Sequence, residues 1–262
     1  RKQLKVLPHG VMVVKQCLSE EQQLAILNVC MKIATKGGNE NLLPRQAYNS
    51  ESKRAIPLLF YNWPAHPRTR TIEPPTELLI FATQLFRLAS FHSREAIASQ
   101  NLLADDRFKC PLDYDPNSLY AIMYPHGGRF GAHLDGARGW VMSISIGESA
   151  NFFWSTSWEG EREYLRIDSG DVVIFNGGQL YHGVDEILPD TAPAFWTKPE
   201  CPTSIFQMSR FNLQFRDPLR DRLTYDPVFP VEGSRQDHKL AQNLEEFGYG
   251  STGTTPLNSN NP

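Results

Sequence analysis

From about residue 117 the chain breaks into short apolar runs: "SLYAIMY", "WVMSISIG", "NFFWS", "EYLRIDSG", "DVVIFNG" and "SRFNLQF". Turn residues separate each run from the next, and each is only long enough for a strand. Several short strands at this spacing predict a sandwich or a double-sheet jelly roll. The first half reads differently. "GVMVV" at 10–14 has strand length. "LSEEQQLAILNVCMKIA" then places Leu24, Ile26 and Leu27 at helical spacing, with Ser19 as N-cap, Gln22 at N3 and Gly37-Gly38 as the stop. "EPPTELLIFATQLFRLASF" predicts a second helix, opened by Pro74-Pro75 with Thr76 as its cap. Its apolar face is Leu78, Leu79, Leu85, Phe86 and Leu88.

Composition narrows the class. The chain has 262 residues, the length of one large domain or a domain with an elaborated lobe, and its 40% hydrophobic and 21% charged residues are ordinary for a soluble globular protein. No apolar run approaches the roughly 18 residues of a membrane span. A net charge of −3 argues against coating duplex DNA by charge alone, although a local basic patch is compatible with it. Cys17, Cys30, Cys110 and Cys201 form no CxxC pair and read as reduced thiols in an intracellular protein. The sequence opens on Arg1, so a processed fragment is expected, with any targeting signal upstream. The stretch 39–76 lacks periodicity. It interleaves Arg45, Lys53, Arg54, Arg68 and Arg70 with Tyr48, Phe60, Tyr61 and Trp63. A loop this long favours a functional role. The tail "GYGSTGTTPLNSNNP", 248–262, is too polar to bury a core and is expected to be disordered.

Chemistry concentrates in "YPHGGRFGAHLDGARGW", 124–140. In an extended strand His133 and Asp135 share one face. His182 follows "DVVIFNGGQLY", at the end of a strand and a Gly-Gly turn. Two histidines and one carboxylate make the facial triad of non-haem iron(II) oxygenases, and zinc tolerates the same donors. "RFNLQFR", 210–216, alternates Arg210, Asn212, Gln214 and Arg216 against Phe211, Leu213 and Phe215. The pattern alone fits an edge strand with a solvated polar face. Turned inward, the two arginines would require anions. Their α-carbons would lie roughly 20 Å apart, a span that suits a small dicarboxylate and a metal-bound carboxylate held in planar guanidinium forks.

On these residues the chain resembles the AlkB family of iron(II)- and 2-oxoglutarate-dependent dioxygenases. HxD (His133, Asp135), the distal His182 and RxNxxxR (Arg210, Asn212, Arg216) occur in family order. "GDVVIFNGGQLYHGV" and "WVMSISIGESANFFW" resemble the family's strands around them, and coverage runs over about 8–217. The resemblance implies an α+β fold: a double-stranded β-helix (jelly roll) with N-terminal helices supporting the sheet and a nucleotide-recognition lid. It implies a single domain over 1–247, with helices and lid in 8–116 and the catalytic core in 117–217. His133, Asp135 and His182 would bind Fe(II). Arg210 would hold the distal carboxylate of 2-oxoglutarate, helped by Asn212 and Tyr124, with Arg216 near the metal end. Two departures stand out. Ile122 replaces an Asn of the family's founding member, so one hydrogen bond to the cosubstrate would be lost or supplied elsewhere, by Tyr120 or Asn117. Gln214 replaces a small hydroxyl residue.

The implied reaction is oxidative N-demethylation of methylated bases in DNA or RNA, releasing formaldehyde, succinate and CO2, as in DNA repair. The substrate would be single-stranded or have its base flipped out. Tyr61 or Trp63 would stack on the base, and Arg68 and Arg70 would meet phosphates. His126, Arg129 and Arg138 would frame the pocket mouth. The site of action would be intracellular: nucleus or cytoplasm in a eukaryote, cytoplasm in a bacterium. Two other readings stand beside this one. The negative charge favours a 2-oxoglutarate dioxygenase acting on a protein or small molecule. A non-enzymatic jelly-roll binding module is opposed by the complete triad with both arginines.

Overall fold

Apolar runs of strand length become strands, and four further strands form that their sequences do not announce. The computed structural model describes residues 4–35, 56–61, 74–99, 110–111, 114–116, 118–135, 139–201 and 209–216. The first part contains β1 (Leu4–Val6), β2 (Met12–Val14), α1 (Glu20–Thr35), β3 (Ile56–Tyr61) and α2 (Thr76–Ser99). The second contains β4 (Ser118–Tyr124), β5 (Phe130–His133), β6 (Trp140–Gly147), β7 (Ala150–Ser155) and β8 (Glu163–Ile167). It continues with β9 (Val172–Asn176), β10 (Tyr181–Ile187) and β11 (Arg210–Arg216). The unannounced strands are β1, β3, β5 and β10.

All pairings are antiparallel. A seven-stranded sheet runs β1-β2-β9-β6-β11-β4-β3 and a four-stranded sheet runs β5-β10-β7-β8. This is the expected jelly roll. β11 is not an edge strand. It pairs along its whole length with β4 on one side, Arg210 opposite Tyr124 to Arg216 opposite Ser118, and with β6 on the other. Its apolar residues Phe211, Leu213 and Phe215 are fully buried against Leu27 and Cys30 of α1 and Ala82, Leu85 and Phe86 of α2. The helices therefore support the large sheet, as expected. By alternation its polar residues face the other way, toward the small sheet, and Arg210, Asn212 and Arg216 are buried there. A second apolar group, with Val141, Val173 and Phe175 from the large sheet and Phe152 and Trp154 from the small one, fills the space between the sheets.

Local signals explain most boundaries. Ser19 and Gln22 form the capping box: the Ser19 N–H donates to Gln22 Oε1 at 2.7 Å and the Gln22 N–H to Ser19 Oγ at 3.3 Å. At α2 the expected cap is displaced. Thr76 is already helical, and the Pro75 carbonyl accepts from the Leu78 and Leu79 N–H groups at 3.0 and 3.3 Å. The helix also runs past Phe91 to Ser99, because "HSREAIAS" contains good helix formers. Within the stretch read as a loop over 39–76, residues 56–61 are β3, paired with β4 from Ile56 opposite Met123 to Tyr61 opposite Leu119. Pro57 is tolerated because β3 is an edge strand and its register shifts between Pro57 and Leu59. Residues 39–55 and 62–73 of that stretch and the 248–262 tail lie outside the described residues. The four cysteines are buried and none is in a disulfide, and burial pushes the Cys30 and Cys110 thiols up to about 12. No helix among the described residues is long and apolar enough to cross a membrane.

The buried face of β11 sets a stability test. Phe211→Ala should lower the unfolding free energy by about 3–5 kcal/mol in denaturant titration. A loss under about 1 kcal/mol would contradict the placement of this strand against the helices.

Candidate metal centre

Two neighbouring strands of the small sheet carry the two histidines, with His182 of β10 directly opposite His133 of β5. The expectation that His133 and Asp135 lie on one continuous strand needs a correction. β5 ends at His133, and Asp135 sits beyond it, where its N–H donates to the Gly177 carbonyl at 2.9 Å. That bond ties the segment to the turn after β9, and the Asp135 side chain still faces the rings. A β-carbon at Gly177 would run into Asp135 Oδ2.

The three ligand atoms lie within 4.8 Å of one another and could hold a metal ion. His133 Nε2 is 3.7 Å from Asp135 Oδ1, and His182 Nε2 is 3.6 Å from Asp135 Oδ2. Each ring is oriented from behind. Nδ1 of His133 lies 2.9 Å from the Gly131 carbonyl and Nδ1 of His182 lies 2.8 Å from the Leu180 carbonyl. A carbonyl can only accept, so Nδ1 carries the proton and each Nε2 keeps its lone pair for a metal. Phe130 packs edge-on against His133 and Phe175 against His182, with centroids 4.6 Å apart in both pairs. Burial pushes His182 down to about 4, against the pull of Asp135, so the ring is neutral at physiological pH. The Asp135 side chain is 6% exposed. Burial alone would raise its carboxyl. The Arg216 guanidinium, followed by the two imidazoles, more than offsets this and holds it below the usual carboxylate range. Two imidazoles with Nε2 turned inward and an ionised carboxylate, with all three donors converging, fit iron(II).

The polar face of β11 extends from this cluster. Arg216 Nη1 meets Asp135 Oδ2 at 2.6 Å. Arg216 Nη2 donates to Gln214 Oε1 at 2.6 Å, and Gln214 Nε2 donates to Asn212 Oδ1 at 3.0 Å. Asn212 Nδ2 donates to Ser143 Oγ at 2.7 Å and to the Ile144 carbonyl at 3.0 Å. Gln214, a departure from the family pattern, thus joins Asn212 to Arg216. At the other end Arg210 is 2% exposed. Its Nη1 donates to the Glu148 carbonyl at 2.6 Å and its Nη2 to Ser145 Oγ at 2.5 Å. No carboxylate lies within ion-pair distance of it among the described residues. Burial lowers Arg210 to about 10, which leaves it charged at neutral pH. Tyr124, opposite Arg210 in register, is buried, and burial raises its hydroxyl. Ile122 is buried with Tyr124, Ala150 and Ile187, so the position of the missing Asn is an apolar wall. Tyr120 lies at the Arg216 end, where burial pushes its hydroxyl up to about 12. Asn117 is outside the described residues.

The sequence-predicted substrate residues fare unevenly. His126 and Arg129 are exposed in the segment between β4 and β5. Arg129 lines a cavity of about 520 Å³ with Phe130, Ala132, Phe153, Arg162 and Asp185. Tyr61 is described only as the backbone end of β3. Trp63, Arg68, Arg70 and Arg138 lie outside the described residues. Sequence reading passed over two features. Trp158 is 62% exposed and packs edge-on against Tyr181, next to His182. Glu148 is buried in the β6–β7 turn. A tryptophan in a polar hairpin, "STSWEGE", was a usable signal for the first, whereas "GES" gives none for the second.

The family model described as "2OG-Fe(II) oxygenase superfamily" matches residues 10–216. The solved structure of OsALKBH1 aligns with a TM-score of 0.62 at 22% identity, over 82% of this chain and 100% of that one. This likeness shows the fold. A prolyl-4-hydroxylase from Pseudomonas putida aligns with a TM-score of 0.39 at 15% identity, over 80% of this chain and 93% of that one. A 2OG-Fe(II) oxygenase-family oxidoreductase from Burkholderia pseudomallei aligns at 0.40 and 11%, over 79% and 84%. No curated protein matches the chain.

Gly177→Ala tests the ligand geometry without removing a ligand. The added methyl displaces the Asp135 carboxylate, so anaerobic Fe(II) titration should give about 10- to 100-fold weaker binding. Unchanged affinity would contradict the placement of Asp135.

Proposed function

The chain belongs to the 2OG-Fe(II) oxygenase superfamily, and on that footing we propose that this dioxygenase oxidatively N-demethylates methylated bases in DNA or RNA. The observation that carries the reading is the AlkB-type residue set gathered in one interior: His133, Asp135 and His182 at one end of the polar face of β11, Arg210 at the other. The basic and aromatic sequence of 39–76 and the exposed Trp158 beside β10 would supply the groups that stacking on a single strand requires. The likeness of fold to OsALKBH1 is in keeping with it.

In this reading His133, Asp135 and His182 hold Fe(II). When bound, iron with 2-oxoglutarate supplies oxygen activation, one oxygen atom ending in succinate with loss of CO2 and the other in the C–H bond of the N-methyl group. The resulting N-hydroxymethyl group leaves as formaldehyde. The protein's own part is positional. Arg210, a buried cation with neutral partners, binds the distal carboxylate of 2-oxoglutarate in a planar fork, and the Tyr124 hydroxyl adds a donor. Asn212 has both amide donors engaged by Ser143 and Ile144, so it acts through Gln214, which steadies Arg216 against Asp135. His126, Arg129 and Arg138 would border the entrance, and Tyr61, Trp63, Arg68 and Arg70 would belong to the segment that covers the nucleotide. The flipped or unpaired base is what such an interior can admit.

The test is turnover with Fe(II) and 2-oxoglutarate against methylated single- and double-stranded DNA and RNA oligonucleotides, read by product mass. Loss of 14 Da per methyl from at least one oligonucleotide is expected, abolished in Asp135→Ala. Succinate formation with no oligonucleotide altered would point instead to a protein or small-molecule substrate.

A further inference from the structure

A glutamate in a turn between strands is ordinarily solvated, yet Glu148 is 3% exposed. It follows Gly147, whose φ of +103 bends the chain out of β6. Glu148 Oε1 accepts from the Asp190 N–H at 3.1 Å and lies 3.1 Å from His126 Nδ1. Its backbone N–H donates to the Ser209 carbonyl at 2.7 Å, and its own carbonyl accepts from Arg210 Nη1 at 2.6 Å. One residue thus joins three turns to the first residue of β11. Two backbone bonds run alongside: Ile187 N–H to the Gly128 carbonyl at 2.9 Å, and Leu188 N–H to the Ser149 carbonyl at 2.8 Å.

We propose that Glu148 is a positioning residue for the cosubstrate: its side chain straps the β6–β7 turn to Asp190 and His126, and so holds its own carbonyl where it aims the Arg210 guanidinium. The proposal rests on Arg210 being the carboxylate anchor. The guanidinium is oriented by two short bonds, and one of its acceptors hangs on a turn rather than a strand. A backbone acceptor is fixed only as well as the turn that bears it. The buried carboxylate supplies that fixation across the chain, from a turn next to Tyr124 to one after β10. His126 is the outer member, with a side chain 69% exposed.

The experiment is calorimetric titration of 2-oxoglutarate into Fe(II)-loaded protein under argon, with Fe(II) affinity measured alongside. Glu148→Ala should weaken 2-oxoglutarate binding about tenfold and leave Fe(II) affinity unchanged. Glu148→Gln, which keeps the Oε1 acceptor, should recover most of the loss. Wild-type 2-oxoglutarate affinity in Glu148→Ala overturns the proposal. So does a parallel loss of iron affinity, or a Gln variant as weak as Ala. If Glu148→Ala does not fold, Glu148→Asp, too short to strap both turns, is judged by the same criteria. Arg210→Ala separates the two layers. Unchanged binding there removes the anchor reading itself, whereas weakened binding there with unaffected Glu148 variants removes only the role of Glu148.

Discussion

Asp135 has to remain an anion while almost out of water, and the site depends on how that is achieved. Desolvating a carboxylate costs several kcal/mol, enough to protonate it if nothing else acted. Arg216 sits 2.6 Å away and is itself buried. The ion pair crosses the interior, from the large sheet to the segment leaving the small one. It therefore keeps the carboxylate charged and also joins the metal-binding strand pair to β11. A pair held this way is weak evidence for stability and stronger evidence for geometry, because removing either partner leaves an uncompensated charge.

The same logic covers the rest of β11. A central strand normally buries apolar side chains on both faces when both are covered. Here one face packs on the helices through Phe211, Leu213 and Phe215, and the other buries Arg210, Asn212 and Arg216. The polar row is connected: Asn212 to Gln214 to Arg216 to Asp135. Arg210 stands apart, with neutral acceptors only, which is the environment a carboxylate ligand would complete. The strand thus carries a cation at each end of its polar face, one spoken for by Asp135 and one facing neutral oxygens.

How much of this could be read beforehand follows from the kind of signal. His133, Asp135 and His182 were legible from their residue types and order, although Asp135 lies beyond the end of β5, and the arginines of β11 were legible because their spacing maps directly onto strand alternation. Strands made of continuous apolar runs, such as β6 and β9, were legible from those runs. β5, "FGAH", and β10, "YHGVDEI", were not, since both owe their extension to pairing with each other and with β7 rather than to propensity. β3 was hidden by Pro57 inside a polar and basic stretch. The central position of β11 was also out of reach, because a polar row looks alike whether it faces water or an anion-binding interior. Glu148 carried no local signal at all; its burial is produced by turns remote in sequence.

The most direct measurement is anomalous diffraction at the iron edge from crystals grown under argon with Fe(II) and 2-oxoglutarate. The account predicts one iron bound by Nε2 of His133, Nε2 of His182 and the Asp135 carboxylate, with 2-oxoglutarate reaching from it to the Arg210 guanidinium. Iron held by other residues, or a cosubstrate whose distal carboxylate does not meet Arg210, would contradict it.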